Sequence, residues 1–213
     1  MHIQVKFLVY YILILINSIL GIVFFRRKRN LQSLFILLPI SLSTELFVEY
    51  LIFKDANFYP VYHVYEVVDF FFFCLLFQKN SKHSGLGNLP IYLFVTFLVV
   101  LAITYIIKPA FTEYPSIQYS IESFFLIILS LRFLWSMEPR DGDSIVNTGM
   151  FWISSGLILS HSGIFIVNGS YNFLKEISSP KALLIKDWIN MSFNYILYTF
   201  FIIGTLCQKS SKE

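Results

Sequence analysis

Long apolar runs, each closed by a short polar turn, follow one another along the whole chain. Seven of them reach the roughly 20 residues that a helix needs to cross the ~30 Å hydrocarbon layer of a bilayer. They cover about residues 7–25, 31–53, 60–78, 89–108, 116–136, 148–168 and 187–207. A lone segment in lipid must satisfy its own backbone hydrogen bonds, and the short alternating segments of a membrane β-barrel are missing. The pattern predicts an all-α polytopic membrane protein, with one seven-transmembrane-helix bundle over residues 1–213.

Composition agrees with lipid as the solvent of this chain. Hydrophobic residues make up 56% of it and charged residues only 14%, against roughly a quarter in soluble domains. The formal net charge of +3 does not indicate a nucleic-acid partner, because the basic residues lie mainly at the ends of apolar runs. Cys74 and Cys207 lie in or beside apolar runs and are expected to act as small hydrophobic residues. The partner that the composition predicts is the lipid bilayer.

The distribution of Lys and Arg predicts the topology. The first run is too long for the apolar core of a signal peptide, and it ends in a basic tetrad at residues 26–29 without a small-residue cleavage site. We therefore expect a retained first helix. With the N-terminus outside, ten of the 16 Lys and Arg residues lie in the cytoplasm and six outside. Since cytoplasmic loops are enriched in these residues, we predict the N-terminus outside and the C-terminus in the cytoplasm.

Two runs differ from the others in the position that we expect for them. The fourth run is wholly apolar and is predicted to be peripheral. In the sixth run Gly149, Gly156 and Gly163 recur every seven residues, and small residues on one stripe let helix backbones approach closely. The sixth run is therefore predicted to be central. The connection at 169–186 mixes apolar residues with lysines and is a candidate for a short amphipathic helix at the membrane interface.

Polar side chains from five runs fall at the same predicted depth. Acidic residues of the second run share one helix face and those of the third run share another, since they recur at spacings of three and four residues. At 1.5 Å per residue, these carboxylates lie within about 6–14 Å of the outer edge of the bilayer. The residues that we expect to form a ligand site are Glu45, Glu49, Tyr62, Glu66, Asp69, Glu122, His161, Asn190 and Asn194.

The acidic side chains need compensation at this depth. A charged carboxylate in the middle of a bilayer costs about 2.5–3.5 kcal/mol on insertion scales. Cations are scarce, because Lys54 and Lys186 lie at the rim and only His63 and His161 are expected within reach. We infer a water-accessible cavity open to the outside, in which some carboxylates are protonated or share a proton.

Each member of this set also has a purely structural interpretation. Glu49 lies one turn from the outer end of its helix, where it would face headgroups or solvent. Glu66 and Asp69 could form hydrogen bonds between helices, and His161 and the two asparagines could serve packing. The tyrosines near the outer helix ends, Tyr65 and Tyr119 among them, are expected to form the aromatic belt of the interface. Convergence of so many polar groups at one depth is what favours a site.

The sequence lacks the common catalytic and nucleotide-binding motifs. It has no glycine-rich phosphate loop, no GxSxG elbow and no HExxH helix. The only metal candidates are Glu66, Asp69 and His161, and no cofactor is indicated.

Four loose motifs carry a resemblance to a known group. They are Glu45, Tyr62-x-x-Tyr65-Glu66, Glu122 and Phe151-Trp152-Ile153-Ser154-Ser155-Gly156. In these motifs, and over most of its length, the chain resembles uncharacterised seven-transmembrane-helix proteins of Bacteroidota, which are thought to be associated with histidine-kinase-type signalling. The resemblance implies a bacterial multi-pass protein of the cell inner membrane that acts as a sensory subunit. It implies no catalytic residues.

Three functions fit the acidic residues. The first is a sensory or receptor-like protein that binds a small polar or cationic ligand and relays to a signalling partner through residues 26–29 and the 137–146 loop. The second is a proton- or cation-coupled transporter, although the cytoplasmic half of the spans carries few polar residues. The third is a metal-dependent intramembrane hydrolase, and only this one is an enzyme. Its ligands or general base would come from Glu45, Glu66, Asp69, Glu122 and His161. A purely structural subunit is the remaining alternative.

Overall fold

The computed structural model describes residues 5–81, 85–107, 111–137, 144–170 and 180–207. Its helices are α1 (Val5–Phe24), α2 (Gln32–Phe53), α3 (Tyr59–Asn80), α4 (Leu89–Ile107), α5 (Ser116–Trp135), α6 (Gly149–Gly169) and α7 (Pro180–Cys207). Within these ranges seven helices are long and apolar enough to cross a membrane. The predicted all-helical, multi-pass architecture is confirmed.

Six helices close a ring and the fourth lies outside it, as far as the described residues extend. Around the ring α1 packs on α2, α2 on α3, α3 on α5, α5 on α6, α6 on α7, and α7 back on α1. The remaining helix, α4, packs on α3 and α5, and only 17% of its span is buried, the smallest share of the seven. Its predicted peripheral position is confirmed. A helix whose side chains are mostly apolar can face lipid without leaving polar groups unpaired.

The most buried helix is α6, with 56% of its span buried, and it packs most extensively on α7 and α5. Three contacts of glycines join α6 to α7: Gly149 with Gly204, Gly156 with Phe200, and Gly163 with Phe193. The central position predicted from the glycine repeat is confirmed. The structure adds that the glycine stripe lies against α7, where it makes room for two phenylalanine side chains and one backbone contact.

The start of α7 differs from the prediction. The helix begins at Pro180, seven residues before the predicted start at 187. Proline suits the first helical turn because its missing N–H would have no partner there, and no Gly or Pro interrupts residues 181–203. The prediction of a short interfacial helix over 169–186 is therefore wrong for residues 180–186, which belong to α7. Residues 171–179 lie outside the described part of the chain.

Alternating helix directions give the bundle two faces. The N-terminal face carries the start of α1 and the α2–α3 connection, and the opposite face carries the end of α7. Apolar side chains, each at most 5% exposed, fill the interior toward the opposite face. They include Phe70, Phe73, Phe77, Leu129, Phe133 and Phe201.

One residue of the basic tetrad is buried within the fold. Lys28 is 4% exposed, its ammonium donates a hydrogen bond to the backbone carbonyl of Thr205, and it lies 4.5 Å from the ring centre of Phe24. Burial lowers the pKa of Lys28. This contact ties the α1–α2 connection to the end of α7. The tetrad therefore offers fewer free charges to a partner than its sequence indicates.

Candidate ligand site: an acid–tyrosine cluster

Two carboxylates of α2 are held by tyrosine hydroxyls of neighbouring helices. Glu45 Oε1 accepts a hydrogen bond from Tyr10 of α1 at 3.0 Å, and Glu45 Oε2 accepts one from Tyr62 of α3 at 3.3 Å. One turn nearer the N-terminal face, Glu49 Oε1 accepts a hydrogen bond from Tyr11 at 2.9 Å. Both glutamates are half-buried. They form the more accessible part of the site, which we call the upper pair.

Three further acidic residues meet between α3 and α5. The carboxyl group of Glu122 lies within hydrogen-bonding reach of both Glu66 and Asp69. Glu66 and Glu122 are each only 2% exposed, and Glu66 Oε2 and Glu122 Oε1 receive no hydrogen bond from any described donor. Two ionised carboxylates repel one another, so this arrangement needs a shared proton or a cation. We call these residues the acid trio.

Tyrosines connect the acid trio to the rest of the bundle. The hydroxyl of Tyr65 donates to Asp69 Oδ1 at 3.0 Å and lies 2.7 Å from Ser41 Oγ of α2. The hydroxyl of Tyr119 lies within hydrogen-bonding reach of Glu66. The assignment of Tyr65 and Tyr119 to the interface belt is therefore wrong. A buried phenol needs a hydrogen-bond partner, and the carboxylates provide one inside the bundle.

The first and last helices contribute tyrosines that are not among the predicted site residues. Tyr10 and Tyr11 of α1 bind the upper pair, and Tyr198 of α7 packs edge-on against Tyr10, with ring centres 5.7 Å apart. The available signal was the pair of adjacent tyrosines inside a mainly apolar first run. This pair can be assigned to the site only from the packing of the ring, which places α1 between α2 and α7.

The described residues bring no cation to this cluster. Four carboxyls of the cluster interact only with other carboxyls and with tyrosines: those of Glu45, Glu66, Asp69 and Glu122. No lysine, arginine or histidine is among their described partners. The site is therefore rich in hydrogen-bond acceptors and in acidic groups. It is suited to a proton or to a positively charged ligand, and unsuited to an anion.

Neither nearby histidine joins the acid trio in the described contacts. His161 Nδ1 lies 3.1 Å from Ser123 Oγ, while its buried Nε2 has no described partner. His63 faces α4 and α5, where Nδ1 lies 2.6 Å from Gln118 Oε1 and Nε2 lies 3.0 Å from the carbonyl oxygen of Glu113. None of the described hydrogen bonds of His63 goes to an acidic side chain, so the expectation that it lies within reach of the acidic residues stays a prediction.

The two asparagines of α7 stay a prediction. Asn190 and Asn194 are half-buried, and Asn190 Oδ1 is a buried atom without a described partner. None of the described contacts links either residue to the acid trio or to the upper pair. Tyr198, one turn beyond Asn194, is the residue of α7 that reaches the cluster.

The described residues contain no group of three His, Cys, Asp or Glu side chains that could hold a metal ion. The metal site predicted from Glu66, Asp69 and His161 has no support in this geometry, since His161 contacts Ser123 and the two acidic residues contact Glu122. No family model, curated protein or solved structure matches the chain. The resemblance to seven-helix proteins of Bacteroidota stays a prediction.

A polar seam with a seven-residue repeat runs between the antiparallel helices α5 and α6. Ser123 of α5 contacts His161 of α6, and the same register places Ser130 opposite Ser154 two turns farther from the N-terminal face. Ser130 and Ser154 are 0% exposed, and neither of these two hydroxyls has a described hydrogen-bond partner. The seam lets two helices approach closely at the expense of two unsatisfied hydroxyls.

Removing either hydroxyl is expected to leave the protein as stable as before, or more stable. A buried polar group without a hydrogen bond costs about 1–3 kcal/mol, and alanine removes it with little change in volume. Thermal unfolding of Ser130→Ala and Ser154→Ala in detergent measures this. Ser41→Ala is the control, because Ser41 Oγ donates to the Leu37 carbonyl at 3.0 Å and contacts Tyr65. A loss of stability in Ser130→Ala as large as in Ser41→Ala would contradict the prediction.

Proposed function

We propose that this chain is a sensory or receptor-like protein of the cell inner membrane that binds a small cationic ligand at the acid–tyrosine cluster. The observation that carries the proposal is the acid trio, where three carboxyl groups meet in the bundle with no compensating cation among the described residues. A bound cation would supply the missing positive charge. Ligand binding would then bias how α3 and α5 pack, which is the change that a partner protein would detect.

The chemistry around the upper pair supports an organic ammonium as the ligand class. Tyr10 has Tyr62, Tyr65 and Tyr198 as near neighbours, and Glu45 lies among them. An ammonium group is attracted to the face of an aromatic ring as well as to a carboxylate. Half-buried Glu45 offers a first contact near the N-terminal face, and the acid trio offers the deeper one.

The position of the cluster supports a receptor more than a transporter. All five carboxylates lie in the half of the bundle next to the N-terminal face, and packed apolar side chains fill the interior toward the opposite face. With the N-terminus outside, as the Lys and Arg distribution predicts, the cluster lies toward the outside. Signals to the cytoplasm would pass by a shift of helices to a signalling partner near Arg26, Arg27 and the 137–146 loop.

A proton-coupled transporter is the second candidate, and one observation favours it. The unsatisfied oxygens of Glu66 and Glu122 make the acid trio a place where protons can be held and exchanged. Proton flux into proteoliposomes that disappears in Glu66→Gln would establish this function in place of the first.

The proposal is tested by thermal unfolding of the purified protein with methylammonium, tetramethylammonium or putrescine chloride. At a concentration 100 times its dissociation constant, a ligand that binds only the folded state stabilises it by about 2.7 kcal/mol. We expect at least one of these ammonium salts to raise the unfolding temperature, and sodium chloride of equal ionic strength not to.

Glu45→Gln is expected to remove the response, because it removes the accessible charge while keeping the shape. Asp55→Asn is the matched control: it makes the same change on the exposed α2–α3 connection, at a positive φ of 52° that asparagine tolerates. An equal response in Glu45→Gln, or no response to any ammonium salt, would overturn the proposal.

A further inference from the structure

A groove of about 930 Å³ opens on the outer surface of α1 and α2 and reaches Val61 of α3; none of the residues of the acid–tyrosine cluster lines it. Its walls are mainly apolar and include Ile22, Val23, Ile36, Ile40 and Phe47. Several of these side chains are largely exposed, among them Ile22 at 71% and Phe47 at 51%. In a membrane-spanning bundle this surface faces lipid, so the groove is a recess in the lipid-facing wall.

The shape of the groove follows from local sequence. Gly21 of α1 packs closely on Phe35 of α2, where an added Cβ would lie 3.3 Å from that side chain. Among the α2 residues that line the groove, Pro39, Ser43 and Thr44 have the smaller side chains. The Ser43 hydroxyl donates to the Pro39 carbonyl at 2.8 Å, so it is satisfied within its own helix. The recess is therefore apolar in character despite the serine.

One end of the groove is basic. Arg26 and Arg27 line it at the end of α1, and both are exposed. The neighbouring Lys28 is buried and already bonded to Thr205, so it does not compete for a ligand there. Among the described lining residues none is acidic. This end of the groove thus has two guanidinium groups and no carboxylate that could bind an ammonium group.

The dimensions suit a lipid chain. The lining of the groove follows α2 from Phe35 to Phe47, about 18 Å at 1.5 Å per residue, and reaches Val61 near the start of α3. One leaflet is about half of the ~30 Å hydrocarbon layer, so a single acyl chain would occupy most of this length. The two arginines then lie at headgroup depth, where guanidinium groups bind phosphate oxygens in pairs. Basic recesses of this kind between transmembrane helices favour anionic headgroups.

We propose that the groove is a binding site for one phospholipid with an anionic headgroup, with an acyl chain along α2 and the headgroup on Arg26 and Arg27. This site is separate from the ligand cluster and does not depend on the proposed receptor function. The two arginines near the membrane surface together predict about a 30-fold preference for an anionic over a zwitterionic lipid.

The test uses the full-length, delipidated protein with phosphatidylglycerol or phosphatidylcholine of identical acyl chains. Native mass spectrometry is expected to show one phosphatidylglycerol retained, with about 30-fold weaker retention of phosphatidylcholine. The double variant Arg26→Gln/Arg27→Gln is expected to lose this preference. Arg132→Gln, an exposed arginine near the same face but outside the groove, is expected to keep it.

A second pair of variants tests the apolar recess. Ser43→Trp is expected to block the groove and reduce retention of both lipids. Thr96→Trp is its control, because Thr96 is exposed on α4 and likewise donates to the carbonyl four residues earlier. Equal retention of the two lipids by the native protein would overturn the proposal. So would an unchanged preference in the arginine double variant, which alters only exposed side chains and therefore decides the question even where Ser43→Trp does not fold.

Discussion

A lysine in place of Glu122 is expected to abolish the binding of ammonium ligands without lowering the thermal stability of the protein. Glu122 lies within reach of both Glu66 and Asp69, so an ammonium at this position would supply the charge that the trio lacks. Removing a partner from a buried charge pair typically costs 2–5 kcal/mol, which corresponds to a loss of at least about 30-fold in affinity. Titration of the ammonium salt that stabilises the native protein measures the loss, and thermal unfolding measures the stability.

The same variant separates a ligand site from a purely structural cluster. If protonated carboxyls only hold α3 to α5 by hydrogen bonds, a lysine disrupts that network and the unfolding temperature falls sharply. Glu122→Gln helps to distinguish the two, since it keeps hydrogen-bonding capacity and removes one negative charge. Glu113→Lys, which makes the same charge change at an exposed position near the N-terminal face, controls for net charge. A strong destabilisation by Glu122→Lys with no effect of Glu113→Lys would favour the structural role.

Alanine at Gly156 is expected to push α6 and α7 apart and to destabilise the bundle. The added Cβ would lie 2.6 Å from Cβ of Phe200, an atom next to the backbone that cannot rotate away. Overpacking of this kind costs about 1–3 kcal/mol. Thermal unfolding of Gly156→Ala in detergent checks the prediction. Gly204→Ala should behave alike, because its Cβ would lie 2.8 Å from the backbone oxygen of Gly149.

Gly169→Ala is the matched control for this prediction. Gly169 lies at the end of the same helix, and an added Cβ there would meet nothing within 4 Å. Equal stabilities of Gly156→Ala and Gly169→Ala would mean that α6 and α7 are farther apart than described. The separation also affects the ligand cluster, because α7 carries Tyr198 and α6 packs on α5. Gly156→Ala is therefore expected to weaken ammonium binding as well.

The architecture could be predicted because lipid leaves few choices. An apolar run of about 20 residues must form a helix in a bilayer, so run length and polar turns define the helices without knowledge of the neighbours. The peripheral α4 was predictable from its apolar sequence, and the central α6 from its glycine repeat. In both cases the sequence of one helix is sufficient to predict its position in the bundle.

The partners within the site were not predictable in this way. Residue spacing shows that Glu66 and Asp69 share a face of α3, and the structure places that face toward Glu122 of α5. The same spacing cannot show that His63, one turn before Glu66, makes its hydrogen bond to Gln118 of α5 and not to a carboxylate. Tyr65 and Tyr119 fit an interface belt in the sequence and become hydrogen-bond donors only within the folded bundle.

The sequence by itself thus determined the seven apolar helices, the approximate ends of most of them and the half of the bundle in which the carboxylates lie, because these depend on local hydrophobicity and on the rise per residue. Tertiary structure alone decided which hydroxyl meets which carboxylate, and that α1 supplies Tyr10 and Tyr11. The physical reason is rotational. Hydrophobicity fixes each helix along the membrane normal, while its rotation about its own axis is set by close packing with its neighbours.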